Sequence, residues 1–185
     1  MTFLKMLESI RTPFWDQVAA AGTLLGEETF FMLVGLALVW CFDKRWGFRL
    51  LFVGLTGTVL NQLLKAVFLI PRPWVIDPEF TIVETARAGA TGYSFPSGHT
   101  QSAACVLGML ALWVRDRVFT ALCVLGILAV AFSRMYLGVH TPLDVGVSLL
   151  TGAATVAVMP PLFDRAEASA LGRRWLGAGL VGFAL

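Results

Sequence analysis

The sequence predicts an all-α protein, a polytopic transmembrane helical bundle with five spanning helices. Two observations support this fold class. Of the 185 residues, 57% are hydrophobic and only 14% are charged, whereas about 25% of the residues in a soluble domain carry a charge. The apolar residues also form separate segments close to the length of roughly 20 residues that a helix needs to cross a bilayer.

The five predicted spans are separated by polar connections, and the third span is the shortest. They run from about Val18 to Trp40, Phe48 to Ile70, Gly98 to Trp113, Val118 to Leu137 and Pro142 to Leu162. In residues 2–15, apolar side chains recur at helical spacing among charged ones, which is typical of an amphipathic helix lying in the membrane surface. The apolar segment Trp175–Leu185 is too short to span and predicts an incomplete sixth helix. We expect one domain over residues 1–185, with its core at about 26–155.

Charge asymmetry between the connections predicts the orientation. One face collects eight basic residues: Lys44, Arg45, Arg49, Arg115, Arg117, Arg165, Arg173 and Arg174. By the positive-inside rule this face is cytoplasmic. The opposite face contains the 71–97 loop and the 138–141 turn. We therefore expect an integral membrane protein, in a bacterium one of the plasma membrane, with these two connections facing the periplasm or the extracellular medium.

The net charge does not suggest a nucleic-acid partner, and the cysteines do not suggest a metal site. A net charge of +2 without a basic cluster does not suggest a nucleic-acid partner. The three cysteines lie in apolar segments without the spacing of a metal site: Cys41, Cys105 and Cys123. We interpret them as small core hydrophobes.

Three polar clusters fall at the predicted outer face. The stretch KAVFLIPRP contains Lys65 and Arg72, PSGH contains Ser97, Gly98 and His99, and SRMYLGVHTPLD contains Ser133, Arg134, His140 and Asp144. Ionisable groups in a membrane-embedded chain are costly and usually mark function. Because the predicted topology places all three clusters at one membrane level, we expect them to converge.

The combined cluster has the chemistry of a phosphate site. It contains three cations, Lys65, Arg72 and Arg134, and the planar fork of arginine suits phosphate oxygens. Ser97 and Gly98 open a predicted helix, where free backbone N–H groups favour an anion. The outer face has no carboxylate cluster suited to magnesium, and the chain has no glycine-rich nucleotide loop. We expect a reaction without a metal ion or cofactor.

The two histidines suit covalent catalysis. Asp144 follows His140 by four residues, and a carboxylate that accepts a hydrogen bond from one ring nitrogen makes the other nitrogen a better nucleophile. His140 is therefore expected to attack phosphorus and form a phosphohistidine. His99 is expected to protonate the departing alkoxide and then to activate water. The three cations would stabilise the charge on the equatorial oxygens.

These residues carry a resemblance to a known family. Lys65-(six residues)-Arg72-Pro73, Pro96-Ser97-Gly98-His99 and Ser133-Arg134-(five residues)-His140-(three residues)-Asp144 resemble the three-part signature of the type 2 phosphatidic acid phosphatase superfamily, which includes the vanadium-dependent haloperoxidases. The resemblance implies a helical bundle, a phosphohistidine intermediate and a lipid phosphate substrate, and it assigns Ser133 to the phosphate site. Membrane members usually have six spanning helices, whereas five and an incomplete sixth are predicted for this chain.

The predicted function is hydrolysis of a lipid phosphomonoester or diphosphate at the outer leaflet. Four substrates are candidates: undecaprenyl diphosphate, phosphatidylglycerol phosphate, phosphatidic acid and a sphingoid-base phosphate. A vanadate-dependent haloperoxidase-like enzyme is a second class, disfavoured because those enzymes are soluble. A non-catalytic lipid-phosphate binder is a third, disfavoured because binding alone needs no paired histidine and aspartate. The sequence leaves the oligomeric state open.

Several of these residues also have a purely structural interpretation. Asp144 suits the third position of a capped helix, which is compatible with orienting His140. Glu27 and Glu28 lie inside the first predicted span, where they contact the substrate headgroup, form hydrogen bonds within the bundle or lie near the outer surface. The 77–92 loop is either a lid or headgroup selector, or a solvated connection.

Overall fold

The chain folds into a bundle of α-helices. The computed structural model describes residues 1–169 and 172, and these residues form no β-strand. Their helices are α1 (Thr2–Ser9), α2 (Pro13–Thr23), α3 (Glu28–Ala37), α4 (Lys44–Phe68), α5 (Pro73–Ile76), α6 (Gly98–Val114), α7 (Arg117–Tyr136) and α8 (Pro142–Ala168). Two 3-10 turns, Leu24–Gly26 and Glu84–Ala86, and a π-helical turn, Leu38–Phe42, complete the regular structure. The all-α prediction is confirmed.

Three stretches of the described chain are long and apolar enough to cross a membrane. They are Lys44–Ile76, α7 and α8. Residues 13–26 and 28–42 provide a fourth crossing if this helix pair, bent by 49°, counts as one span. The helix α6 has 17 residues, slightly fewer than the roughly 20 that a membrane crossing requires. The count of five spans therefore remains a prediction.

The first predicted span is not one continuous helix. Glu27 has extended backbone angles, φ −76° and ψ 148°, and separates α3 from the turn that follows α2. Gly26 packs against the start of α6 so closely that a Cβ on it would lie 2.5 Å from the carbonyl oxygen of His99. The break thus lets the chain bend where it meets α6.

The predicted surface helix over residues 2–15 is also divided. α1 ends at Ser9, and α2 begins at Pro13 after Thr12, whose side chain accepts a hydrogen bond from Trp15 N. A proline at the first helical position with a threonine cap is a strong start signal, and it explains why a new helix begins there. Leu4 of α1 is buried against Phe80 and Ile82 of the 77–92 loop.

The helix α6 occupies the centre of the bundle and packs against α4, α7 and α8. Small residues permit close approach, since a Cβ on Gly152 of α8 would lie 2.6 Å from the Cβ of Ala104. At the predicted cytoplasmic end, buried Arg49 of α4 donates to Asp164 at 2.7 Å and to Glu167 at 2.8 Å, which links α4 to α8. The predicted segment Trp175–Leu185 lies outside the described residues.

Candidate active site

Lys65 and Arg72 flank a sharp reversal of the chain. Leu69 follows α4 in the left-handed conformation, with φ 50°, and its N–H donates to Lys65 O. Both cations then hold the same loop. Lys65 Nζ donates to Tyr93 O at 2.6 Å, while Arg72 donates to Gly92 O at 3.1 Å and to Thr91 O at 2.7 Å. The two cations thereby fix the polar loop over the end of α4.

Ser97 and Gly98 form the start of α6. The Ser97 side chain accepts from Thr100 N, so it caps the helix, and Ser97 N donates to Asp144 O at 3.3 Å. Gly98 is the first helical residue and leaves the backbone there accessible. The N-terminus of this 17-residue helix provides the free N–H groups and the partial positive charge that favour an anion.

Arg134 is the most deeply buried cation of the site, with 1% of its surface exposed. Its Nη1 donates to Thr23 Oγ1 at 2.8 Å. Its Nε and Nη2 have no hydrogen-bond partner among the described residues. Unpaired buried donors on a cation are costly, and such donors suit an anionic ligand. The neighbouring Ser133 instead donates to Val130 O of its own helix at 2.8 Å.

Asp144 is held by several donors at the start of α8. Thr141 and Asp144 form a capping box, in which Thr141 N donates to Asp144 Oδ2 at 2.8 Å and Asp144 N donates to Thr141 Oγ1 at 3.2 Å. Ser94 Oγ donates to the same carboxylate oxygen at 2.6 Å. That oxygen also lies 3.4 Å from His140 Nδ1. The capping role and proximity to His140 therefore coexist.

His140 is buried, and its hydrogen-bond environment defines its tautomer. Arg72 Nη1 lies 3.0 Å from His140 Nε2 and also donates to Val139 O at 3.0 Å. A guanidinium has no acceptor, so Nε2 must accept, and the neutral ring carries its proton on Nδ1, the nitrogen near Asp144. Burial lowers the pKa of His140 below its ordinary range, and the neighbouring guanidinium groups act in the same direction.

A cavity of about 640 Å³ joins most of the predicted site residues. Its lining includes Lys65, Arg72, Gly98, His99, His140, Glu27 and Glu28. Four others do not line it: Ser97, Ser133, Arg134 and Asp144. Ser97 caps α6, whose first two residues, Gly98 and His99, line the cavity. Within the described part of the chain, no group of three His, Cys, Asp or Glu side chains is arranged to hold a metal ion.

The 77–92 loop has two parts with different surroundings, and whether it acts as a lid or headgroup selector stays a prediction. Gly89, Thr91 and Gly92, together with Tyr93, line the cavity. The earlier part of the loop packs instead on α1, where Thr81 N donates to Glu8 Oε1 at 2.8 Å. The earlier part of the loop is therefore packed on α1, and the later part forms one wall of the cavity.

Sequence reasoning missed two partners of the predicted residues. Ser94 precedes the PSGH stretch and bonds Asp144, and Thr23 of α2 bonds Arg134. The position of Ser94, three residues before Ser97, was a usable signal. Thr23 lies in an apolar segment 111 positions from its partner, and no sequence pattern indicates it.

Comparison with known proteins identifies the family. The family model described as PAP2 superfamily matches residues 46–167. The chain belongs to the PAP2 superfamily. Phosphatidylglycerophosphatase B of Bacillus subtilis is 30% identical to this PAP2 protein over 74% of the chain and 69% of the relative. A probable sphingosine-1-phosphate phosphatase of Dictyostelium discoideum is also 30% identical, over 81% of this chain but 39% of that protein.

Solved PAP2 structures have the same fold. The transmembrane PAP2-type phosphatidylglycerolphosphate phosphatase of Bacillus subtilis superposes with a TM-score of 0.73 at 26% identity, covering 89% of this chain and 84% of that one. LpxE of Aquifex aeolicus superposes with a TM-score of 0.74 at 24% identity, over 86% and 93% of the two chains, which shows the shared fold. The protein is an integral membrane enzyme of the phosphatase class.

Proposed function

We propose that this PAP2 protein hydrolyses a lipid phosphomonoester or diphosphate at the outer leaflet through a phosphohistidine on His140, without a metal ion. One observation carries the proposal. Arg72 Nη1 donates to His140 Nε2, so the lone pair of the ring is on the nitrogen that faces the cations. The proton is then on Nδ1, which lies 3.4 Å from Asp144 Oδ2 without the geometry of a hydrogen bond. This is the tautomer that a histidine nucleophile requires.

The proposed reaction has two steps. His140 Nε2 attacks phosphorus, the bond from phosphorus to the ester oxygen breaks, and His99 gives a proton to the departing alkoxide. His99 then takes a proton from water, whose oxygen attacks phosphorus. The P–N bond breaks, phosphate leaves and His140 recovers its lone pair. Asp144 stabilises the positive charge that the ring acquires in the first step, as a carboxylate does for an imidazolium.

The cations complete the proposed phosphate site. Arg134 offers two unpartnered donor nitrogens, Nε and Nη2, and Arg72 would transfer its Nη1 donor from His140 to a phosphate oxygen. Lys65 adds a third positive charge. The start of α6 at Ser97 and Gly98 adds backbone donors, and Ser133 would exchange its bond to Val130 O for a phosphate oxygen. Preorganised donors of this kind stabilise charge that develops in the transition state.

The proposed topology follows from the family and the charge distribution. Relatives named for phosphatidylglycerophosphate, undecaprenyl diphosphate and sphingosine 1-phosphate support a lipid phosphate as substrate. We retain five spanning segments, with α2 and α3 as one bent span and α6 as a short one, and a single domain. The cation-rich cavity then opens towards the outer leaflet, opposite the basic face around Arg49 and Arg117.

The decisive experiment measures phosphate release by the detergent-solubilised protein in excess EDTA. The panel contains undecaprenyl diphosphate, phosphatidic acid, phosphatidylglycerol phosphate and sphingosine phosphate, with His140→Ala as the matched variant. Release that disappears in His140→Ala is expected, together with an acid-labile phosphoenzyme after quenching of the wild type. Activity in the variant, or a strict requirement for magnesium, would overturn the mechanism. Vanadate should inhibit, whereas activation of halide oxidation by vanadate would indicate the haloperoxidase class.

A further inference from the structure

We propose that the inner end of the cavity binds a hydrogen-bond donor, a hydroxyl or an ammonium group, carried by the alcohol part of the substrate beside its phosphate. This inference rests on the proposed phosphatase function and specifies its substrate class. We call this region the acceptor end. It comprises Glu27, Glu28, Asn61 and Ser102, all of which line the cavity.

The orientation of two buried amides shows that Asn61 presents an acceptor. Gln101 Nε2 donates to the carbonyl oxygen of Gly57 at 3.0 Å, which directs Gln101 Oε1 towards Asn61. Asn61 Nδ2 must then donate to that oxygen, at 3.0 Å. A carbonyl can only accept, so the whole chain of bonds has one consistent direction. Asn61 Oδ1 is left on the opposite side of its amide group.

This oxygen has no partner although the residue is almost fully buried. Asn61 is 2% exposed, and Oδ1 has no hydrogen-bond partner within the described chain. A Cβ added to Gly98 would lie 3.5 Å from Oδ1, so the oxygen is next to the start of α6. A buried acceptor without a donor is unfavourable, because it has lost its hydrogen bonds to water. Asn61 Oδ1 would repel a phosphate oxygen. The substrate group that satisfies this acceptor must therefore be a hydrogen-bond donor.

Ser102 repeats this pattern one turn into α6. It is 8% exposed, and its hydroxyl has no partner among the residues described. His99 and Ser102 are three positions apart on one helix and both line the cavity, as expected for neighbours on one helix face. The unpaired hydroxyl of Ser102 therefore lies next to His99, the proposed general acid, and one helical turn further from the start of α6.

The positions of Asn61 and Ser102 along their helices match the alcohol part of the lipid substrate rather than its phosphate. Asn61 precedes Lys65 by four residues on α4, and Ser102 follows Gly98 by four on α6. Four residues of helix correspond to about 6 Å, so Ser102 lies one turn deeper than the phosphate site, whereas Asn61 Oδ1 lies at its edge, beside Gly98. A lipid whose phosphate meets the cations and whose chain enters the bilayer places its first alcohol carbons at this level.

The break between α2 and α3 adds negative charge to the same region. Gly26 packs on the backbone of His99, which brings the half-buried Glu27 and the exposed Glu28 to the cavity. The cavity thus has a cationic end and an acceptor end. A phosphorylated amino alcohol or polyol matches both ends, since its phosphate and its donor are separated by two carbons.

This arrangement separates the candidate lipids by chemistry. A sphingoid-base phosphate has an ammonium group next to the ester carbon, and phosphatidylglycerol phosphate has a glycerol hydroxyl there. Phosphatidic acid has an acylated oxygen at that position and no donor. In undecaprenyl diphosphate the leaving group is itself a phosphate, which the carboxylates and Asn61 Oδ1 would repel. We therefore expect the first two classes to be preferred.

The test compares three synthetic substrates of equal chain length: dodecyl phosphate, 2-hydroxydodecyl phosphate and 2-aminododecyl phosphate. We expect kcat/KM to be at least tenfold higher for the two donor-bearing compounds, because hydrogen bonds that involve a charged group are stronger than neutral ones. Equal kcat/KM values for all three would overturn the inference and leave the proposed function intact. If none of the three compounds is hydrolysed, the proposed function is overturned.

Variants then assign the preference to the acceptor end. Ser102→Ala and Asn61→Leu are expected to reduce the ratio of kcat/KM between donor-bearing and plain substrates. Glu27→Gln should reduce the ratio more for the amine than for the hydroxyl compound. Glu79→Gln, an exposed carboxylate outside the cavity, is the matched control and should keep the ratio. If Asn61→Leu does not fold, Ser102→Ala and Glu27→Gln decide, and unchanged ratios in both would overturn the inference.

Discussion

Arg72 Nη1 lies 3.0 Å from His140 Nε2 and donates to it. The proposed nucleophile is therefore covered by the same cation that we propose as a phosphate ligand. A substrate phosphate placed between them would give Arg72 a charged acceptor, and charge-assisted hydrogen bonds are stronger than neutral ones. The exchange uncovers the lone pair only when the substrate is present.

This relationship predicts that Arg72→Ala lowers kcat/KM by about 10²–10³-fold, the usual effect of losing one donor that stabilises transition-state charge. Arg72→Lys should recover only part of the rate, because lysine keeps the charge without the planar fork. Steady-state phosphate release from the preferred lipid measures both. Arg117→Ala, at the opposite face of the bundle, is the control. A rate for Arg72→Ala within twofold of wild type would remove Arg72 from the phosphate site.

Asp144→Asn should separate catalysis from helix capping. An asparagine oxygen can still accept from Thr141 N, so we expect the start of α8 to persist and the unfolding temperature to change little. The rate should fall by about 10²–10⁴-fold, because the ring of His140 loses its orienting charge. Ser94→Ala should have a smaller effect in the same direction. A fully active Asp144→Asn enzyme would contradict the orienting role.

The buried His140 predicts a pH-dependent stability. Its pKa in the folded protein is lowered, so the unfolded chain binds the proton more readily once the pH falls below the ordinary histidine value of about 6.5. The free energy of unfolding should then decrease, by at most about 1.4 kcal/mol per pH unit for one proton. Thermal unfolding of wild type and His140→Gln from neutral to acidic pH measures this decrease. Identical pH slopes for the two proteins would refute the assignment to His140.

Two glycines of the first helical region give a matched pair. A Cβ on Gly26 would lie 2.5 Å from His99 O, whereas a Cβ on Gly22 meets no atom within 4 Å. Gly26→Ala should cost about 1–3 kcal/mol through overpacking and should also reduce activity, because it displaces His99. Gly22→Ala should be neutral or slightly stabilising, since alanine favours the helix. Equal unfolding temperatures and rates for the two variants would contradict the packing of Gly26 on α6.

The sequence predicts the cluster of charged residues well because a membrane-embedded chain tolerates few ionisable groups. Lys65, Arg72, His99 and His140 do line one cavity, as expected from their common membrane level. The hydrogen-bond partners of the site residues could not be predicted in the same way. Ser94 and Thr23 are 50 and 111 positions from Asp144 and Arg134, and ordinary polar residues that act through such distant contacts leave no local pattern.

The division of the first span was not predictable for a related reason. Apolar residues flank the short polar stretch from Gly26 to Thr29 on both sides, so composition alone predicts one helix that runs through it. The break reflects contact with His99, a tertiary interaction that lies far away in sequence. The amphipathic pattern of residues 2–15 was similarly continuous, although Thr12 and Pro13 already contained the start signal of α2.

The carboxylate of Asp144 starts α8, accepts from Ser94 and lies beside the ring of His140. A longer glutamate would move this oxygen by one methylene and lose the fit to all three neighbours. One side chain therefore serves both the start of α8 and the orientation of His140, and of the two substitutions considered only asparagine would keep the helix start while losing the charge. In directed evolution towards new substrates, we expect this position to remain fixed while the acceptor end of the cavity varies.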